Sequence, residues 1–120
     1  MAKILIVEDD LILNEAYKKK LSPTYDLQVA IDGESGVSMT REWHPDLIIL
    51  DIYMPGKIDG LEYLRLVKSD SATGDIPVLV LTNLPDMAEK TIQLGAAKCL
   101  MKTETDLVRL EKEISDILRK

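Results

Sequence analysis

The chain has 120 residues, 46% of them hydrophobic, which is enough to bury the core of one ordinary domain without disulfides or a structural metal. Its 15 basic and 21 acidic residues give a formal charge of −6, which disfavours binding to nucleic acid or to an anionic membrane surface. The single cysteine, Cys99, excludes an intrachain disulfide and favours a cytoplasmic location, and no apolar run approaches the roughly 20 residues that span a bilayer.

Short apolar runs rich in β-branched residues alternate with stretches of helical spacing along the whole chain. In chain order, strand and helix in turn, the predicted elements are 3–7, 11–21, 25–30, 33–43, 46–50, 60–68, 76–81, 86–94, 97–101 and 104–119. Asp32 is the predicted N-cap of the second helix, and Thr103 together with Asp106 is predicted to cap the last one.

This strict alternation indicates a parallel sheet, because parallel neighbours need crossover connections, and these are right-handed. We therefore predict a doubly wound α/β fold with five parallel strands and helices on both faces. We expect one domain over residues 1–120, with no residues left over to encode a second one.

Chemically active side chains follow four of the five predicted strands. In an open α/β sheet, ligands bind outside the carboxyl ends of the strands, near the point where the strand order reverses. The residues at these ends are Glu8, Asp9 and Asp10 after the first strand, Asp51 after the third, Thr82 after the fourth and Lys102 after the fifth.

Carboxylates that converge on one rim repel each other, and a bound cation is a common remedy. The oxygen donors Glu8, Asp9 and Asp51, without histidine or thiolate, suit Mg²⁺, with Mn²⁺ as an alternative. A carboxylate oxygen of Asp51 could then attack phosphorus to form an acyl phosphate, while Lys102 and Thr82 neutralise the transferred group. Each of these residues alone also has an ordinary explanation as a cap, turn or surface residue, so the prediction depends on their combination.

With these residues in place, the chain resembles the receiver domains of two-component response regulators over essentially its whole length, and most of all the single-domain chemotaxis type. The matching stretches are Ile4 to Asp10 (ILIVEDD), Pro45 to Asp51 (PDLIILD), Met54 to Gly56 (MPG), Asp59-Gly60, Ile76 to Val78 (IPV), Leu81-Thr82, and Gly95 to Ala97 leading to Lys102.

The resemblance implies the flavodoxin-like strand order 2-1-3-4-5 and a phosphodonor that is a sensor histidine kinase or a phosphotransfer protein. It also implies a role for each site residue: Asp51 as phosphoacceptor and metal ligand, Glu8 and Asp9 as metal-side acids, the Tyr53 backbone carbonyl as a further metal ligand, Thr82 as the switch hydroxyl, and Lys102 as the phosphoryl contact.

The chain departs from the family pattern at several positions. Cys99 stands three residues before Lys102, where the family usually has an aromatic residue. Thr103 replaces a proline that usually follows a cis peptide bond, and we expect a trans bond here because a non-proline cis bond costs roughly 3 kcal/mol or more. The segment 51–60 is one residue longer than the common pattern, and the segment 82–95 is about two residues shorter.

We therefore predict a phosphorylation-dependent signalling switch that changes its affinity for a downstream protein and is not a turnover enzyme. We expect a monomer or weak dimer that binds neither nucleic acid nor membrane directly. The alternative is a receiver-like interaction scaffold that acts independently of phosphorylation. A hydrolase with an aspartate nucleophile would need a second aspartate two positions after Asp51, where Tyr53 stands.

Overall fold

The computed structural model describes residues 1–119, and within this range five strands alternate with five helices. The elements are β1 (Lys3–Val7), α1 (Leu11–Leu21), β2 (Asp26–Ala30), α2 (Gly33–Trp43), β3 (Leu47–Asp51), α3 (Gly60–Ser69), β4 (Val78–Thr82), α4 (Met87–Gln93), β5 (Lys98–Met101) and α5 (Leu107–Leu118). The strands form one parallel sheet in the order β2-β1-β3-β4-β5. The predicted doubly wound α/β fold and its strand order are confirmed. None of the described helices is long and apolar enough to cross a membrane.

The burial of each strand follows from its position in the sheet. Every residue of β3 and of β4 is buried, because helices cover both faces of these inner strands. Strand β2 lies at an edge, where exposed and half-buried residues alternate along most of its length. The continuous apolar runs in the sequence thus mark the centre of the sheet.

Alternate residues of the central strands contribute to two separate cores. On one face, Leu5, Ile48 and Val80 pack with residues of α2 and α3, including Tyr63. On the other face, the strands pack against α1 and α5. A buried hydrogen bond of 2.7 Å between the hydroxyl groups of Thr40 and Tyr63 also joins α2 to α3. The sheet is therefore held between α1 and α5 on one side and α2 to α4 on the other.

Aspartate side chains cap the N-termini of four helices, and two of these helices have caps that were predicted from the sequence. Asp32 accepts a hydrogen bond from the Ser35 N–H at 2.8 Å, which confirms its predicted role. The predicted cap at Thr103 is wrong, because Lys102–Glu104 forms a short 3-10 turn and Asp106 alone caps α5. The last helix consequently begins at Leu107 and not at position 104.

The strand bounds differ from the predicted ones by one or two residues. Predicted strands two to five begin slightly early, and β3 and β4 each end one residue later than expected. Asp51 and Thr82 are therefore the last residues of their strands, so the rigid sheet fixes the direction of both side chains.

The segment between β3 and α3 rests on the start of α2. A Cβ atom added at Gly33 would lie 2.7 Å from Cγ2 and 2.8 Å from Cβ of Ile58, which is closer than real Cβ contacts. The Ile58 side chain also packs against the core on this face. The segment around Ile58 thus packs against a glycine, which has no side chain to displace it.

Lys68, near the end of α3, contacts the segments that precede β4 and β5, at the amino ends of these strands. Its ammonium group donates hydrogen bonds to the carbonyl oxygens of Gly74 at 3.0 Å and Ile76 at 2.6 Å. Its methylene groups pack under Gly95, whose φ of +107° favours glycine. Burial lowers the pKa of Lys68. One side chain thereby joins α3, the entry to β4 and the turn before β5.

Candidate functional site

Three carboxylates meet at the carboxyl edge of the sheet. One oxygen from each of Glu8, Asp9 and Asp51 lies within 4.8 Å of the other two. The pairing of Val7 with Leu50 places the residues that follow them side by side on neighbouring strands. Glu8 and Asp51 are buried, whereas Asp9 is exposed. The structure therefore brings together the three acids that the sequence predicts as metal ligands.

Lys102 extends across this edge to two of the acids. Its ammonium nitrogen lies 2.6 Å from Glu8 Oε1 and 3.3 Å from Asp51 Oδ2. Strand β5 is separated from β1 by β3 and β4, so the side chain spans the ends of both intervening strands. Its stem borders a cleft between α1 and α5 that is lined by apolar residues, including Tyr17 and Leu81.

The charges of these groups shift one another's proton affinity. Burial raises the pKa of Glu8; the hydrogen bond from Lys102 opposes this rise, and the neighbouring Asp51 adds to it. Burial and the adjacent Glu8 raise the pKa of Asp9. Burial opposes the charge of Lys102, but its bonds to both acids keep its pKa above the ordinary lysine value. The site is therefore a compact arrangement of negative charge around one ammonium group.

Thr82 and Tyr53 lie beside the acids without forming ion pairs. Thr82 is buried one residue beyond Leu81, the β4 partner of Asp51, and its hydroxyl oxygen accepts a hydrogen bond from the Leu84 N–H at 3.0 Å. The Tyr53 N–H donates to Asp51 Oδ1 at 3.1 Å, while the Tyr53 side chain is 76% exposed. The backbone after β3 thus folds back onto Asp51.

Two asparagines that the sequence analysis did not single out support this edge. The buried Asn14 donates from Nδ2 to the Glu8 carbonyl at 2.9 Å, which fixes the backbone beside the acids, and its Oδ1 is buried without a hydrogen-bond partner. Asn83 Oδ1 accepts from the Thr103 N–H at 3.2 Å. An asparagine inside a helix is unfavourable by propensity, and this signal could have marked Asn14. Asn83 gave no comparable signal.

The residues at which the sequence analysis expects departures from the receiver pattern make local contacts. Cys99 is half-buried on β5 and packs against the core on the face of α2 to α4. The peptide bond before Thr103 is trans, as expected. Thr105 closes the turn that follows, because its hydroxyl donates to the Met101 carbonyl at 2.7 Å.

The comparisons with known proteins agree with this geometry. The family model of the response regulator receiver domain matches residues 4–115, and the chain belongs to this family. Membership implies phosphorylation-dependent signalling in two-component systems.

Among curated relatives, the chain is similar to the transcriptional regulatory protein MalR of Bacillus subtilis, with 37% identity over all of the chain and 52% of MalR. It is also similar to the DNA-binding dual master transcriptional regulator RpaA of Synechocystis, with 38% identity over 75% of the chain and 37% of RpaA. The chain thus spans about half, or less, of the length of these relatives. Among solved structures, the Vibrio cholerae chemotaxis protein CheY4 has a TM-score of 0.87 and 27% identity, covering 97% of this chain and 98% of CheY4.

Proposed function

We propose that the chain is a signalling switch that accepts a phosphoryl group on Asp51 and thereby changes its affinity for a downstream protein. The observation that carries this proposal is the position of Asp51, buried at the end of β3 beside Glu8 and within 3.3 Å of the Lys102 ammonium. A buried carboxylate flanked by another acid and a lysine is suited to phosphoryl transfer, which depends on positioning and charge neutralisation. The domain would catalyse only its own phosphorylation and dephosphorylation.

The acids are also suited to a hard divalent cation. Three carboxylate oxygens within 4.8 Å of one another offer the donor type that Mg²⁺ prefers, with Mn²⁺ as the alternative. Glu8, Asp9, Asp51 and the Tyr53 backbone carbonyl would hold it. When bound, the metal would neutralise oxygens of the transferred phosphoryl group.

The residues of the chain would then divide the transfer step between them. A carboxylate oxygen of Asp51 attacks phosphorus, an O–P bond forms, and the P–N bond to the donor histidine breaks as the imidazole leaves with the electron pair. The Lys102 ammonium would turn from Asp51 to a phosphoryl oxygen. The Thr82 hydroxyl, already at the end of the neighbouring strand, would donate to another.

The surface beside the site supports a protein phosphodonor, namely a sensor histidine kinase or a phosphotransfer protein. Leu11 and Ile12 begin α1 directly after the acids and are 68% and 85% exposed, and Val108 at the start of α5 is 68% exposed. Exposed apolar residues around a polar site are typical of protein interaction surfaces. The formal charge of −6 makes direct binding to nucleic acid or membrane unfavourable.

We further propose that residues 1–120 form one receiver domain that works in the cytoplasm as a monomer or weak dimer. The single cysteine and the excess of acidic residues support this proposal. The downstream protein is identified only as a partner whose affinity changes on phosphorylation.

The test is the intact mass of the protein after incubation with acetyl phosphate and Mg²⁺. We expect a gain of about 80 Da that disappears when EDTA replaces Mg²⁺ and in the Asp51→Asn variant. Asp26→Asn is the matched control, because Asp26 is an exposed acid at the opposite edge of the sheet, and this variant should still gain the mass. If no adduct forms with acetyl phosphate, and beryllofluoride does not bind, the chain is instead an interaction scaffold that acts independently of phosphorylation.

A further inference from the structure

One hydrogen bond joins the two loops that flank the acidic edge of the sheet. The backbone N–H of Thr103 donates to Asn83 Oδ1 at 3.2 Å, across 20 residues of sequence. Asn83 directly follows Thr82, and Thr103 directly follows Lys102. The bond therefore connects the immediate neighbours of the hydroxyl and the ammonium group that the proposed function assigns to the phosphoryl group.

This bond depends on the identity of residue 103. Proline has no backbone N–H, so a proline at this position could not donate to Asn83. Thr103 supplies the donor, and its own side chain is exposed. A threonine at position 103 thus permits a link between the loops that a proline at this position would exclude.

Each end of the link is fixed to a part of the site. On one side, the 3-10 turn Lys102–Glu104 is closed by the bond from the Thr105 N–H to the Lys102 carbonyl, and the Lys102 ammonium binds Glu8 at 2.6 Å. A shift of Thr103 therefore shifts the backbone from which the Lys102 side chain starts.

On the other side, Thr82 is the last residue of β4, and its hydroxyl oxygen accepts from the Leu84 N–H within the same loop. Asn83 lies between these two bonded residues. A reorientation of the Thr82 hydroxyl toward a phosphoryl oxygen would therefore break the bond to Leu84 that closes the loop around Asn83.

We propose that Asn83 is a positioning residue that couples the loop after Thr82 to the turn at Lys102, so that the hydroxyl and the ammonium group adjust together when Asp51 is phosphorylated. This inference rests on the proposed function. Asn83 acts through its two neighbours and does not itself contact the phosphoryl group.

The first arm of the test uses the unmodified protein without metal and measures amide hydrogen exchange at Thr103 by NMR. Asn83→Ala removes the acceptor, and the Thr103 amide should exchange about three- to fivefold faster, the effect expected for one surface hydrogen bond. Thr103→Ala is the matched control, because it removes the side chain and keeps the N–H donor, so its amide at position 103 should stay protected. Equal exchange in the wild type and Asn83→Ala would overturn the proposal.

The second arm measures the rate of Asp51 phosphorylation by acetyl phosphate in a double-mutant cycle. Asn83→Ala should slow the reaction about three- to fivefold, and Thr103→Ala should leave the rate unchanged. Thr103→Pro removes the donor, and in that background the further change Asn83→Ala should have no effect, because the bond is already absent. An equal effect of Asn83→Ala in both backgrounds would overturn the coupling.

The two arms separate this inference from the proposed function. If the wild type forms no adduct, the proposed function fails, and the exchange of the Thr103 amide still decides whether Asn83 holds the turn. If the wild type is phosphorylated and the cycle is additive, the proposed function stands and the inference fails.

Discussion

Replacing Lys102 with methionine would remove the positive charge between two buried carboxylates while keeping most of the side-chain volume. The ammonium nitrogen lies 2.6 Å from Glu8 and 3.3 Å from Asp51. At an effective dielectric constant of about 20, these separations correspond to attractions of about 6 and about 5 kcal/mol. The variant also avoids the desolvation cost of burying the ammonium group, which offsets part of the lost attraction. We therefore expect the free energy of unfolding to fall by about 3 kcal/mol, the lower end of the range for breaking a buried ion pair.

Urea denaturation of the wild type and Lys102→Met at neutral pH, in EDTA and in excess Mg²⁺, measures this loss. We expect the full deficit in EDTA. Mg²⁺ should stabilise the variant more than the wild type, because the metal replaces the missing charge and no longer competes with an ammonium group for the acids.

The deficit should also depend on pH. Burial raises the pKa of Glu8, and the bond from Lys102 partly opposes this rise, so removing Lys102 raises the pKa of Glu8 further. An acid whose pKa is higher in the folded state stabilises the protein below its unfolded pKa, and this contribution is lost as pH rises through the folded pKa. The deficit of the variant should therefore be largest at neutral pH and shrink as pH falls toward 4.5, the ordinary pKa of glutamate.

The matched control is Lys112→Met, on α5. The Lys112 ammonium pairs with Asp116 at 3.3 Å, but the two side chains are 77% and 42% exposed, so its loss should cost less than about 1 kcal/mol and should not respond to Mg²⁺. A Lys102→Met protein as stable as the wild type in EDTA, or a deficit unaffected by both pH and Mg²⁺, would refute the electrostatic reasoning.

Three further predictions concern the scaffold. Asp32→Ala should lower the free energy of unfolding by about 1 kcal/mol, because it removes the N-cap of α2. Hydrogen bonds donated by Ser35 lower the pKa of Asp32, so the difference in stability between wild type and variant should disappear as pH falls through that lowered pKa. Urea denaturation at a series of pH values measures this difference. Thr40→Val should cost about 1 to 3 kcal/mol in thermal or urea denaturation, because it leaves the buried Tyr63 hydroxyl without a partner. Gly33→Ala should cost about 1 to 3 kcal/mol and weaken Mg²⁺ binding measured by calorimetry, because the new methyl group would displace Ile58 and with it the segment that follows Asp51.

Each of these predictions has a control on the same contact. Asp32→Asn keeps an acceptor at the cap and should retain stability at all pH values. The double variant Thr40→Val with Tyr63→Phe should recover part of the loss, because neither hydroxyl is then left unpaired. Gly33→Ala combined with Ile58→Ala should recover little, because the carbonyl oxygen and Cβ of Ile58 both stay close to the new methyl group. A loss of stability in Asp32→Asn, no recovery in the Thr40→Val and Tyr63→Phe pair, or full recovery in the Gly33 pair would each contradict the assigned contact.

The sequence predicted correctly which side chains lie at the carboxyl ends of the strands, because strands in successive β-α-β units run in the same direction and end on the same side of the sheet. Glu8, Asp51, Thr82 and Lys102 each follow or end an apolar run, and the alternation of elements is sufficient to bring them to one side. The hydrophobic pattern predicted the parallel direction of the strands, whereas the strand order that places β1 beside β3 was predicted from the resemblance to receiver domains.

The start of α5 was not predictable in the same way. Thr103 and Asp106 are both acceptable cap residues, and the choice between them depends on the backbone conformation of the turn that precedes the helix. Thr105 closes that turn with a hydroxyl bond to Met101, a contact that periodicity does not encode. The bond between Asn83 and Thr103 depends on the same loop geometry, so it too could be found only in the structure.

The Lys68 anchor, defined as the contacts of Lys68 with Gly74, Ile76 and Gly95, suggests how to distinguish two kinds of substitution that both abolish signalling in a cell. It fastens α3 and the entries to two strands at the edge of the sheet opposite the acids, and none of its partners belongs to the acidic site. In a genetic screen, alleles that disrupt this anchor should reduce the amount of protein, and overexpression should rescue them. Asp51→Asn keeps the side-chain volume and the Lys102–Glu8 contact, so under the proposed function it should leave the protein abundant but abolish signalling. Measuring abundance beside signalling output would therefore distinguish this allele from those that disrupt the anchor.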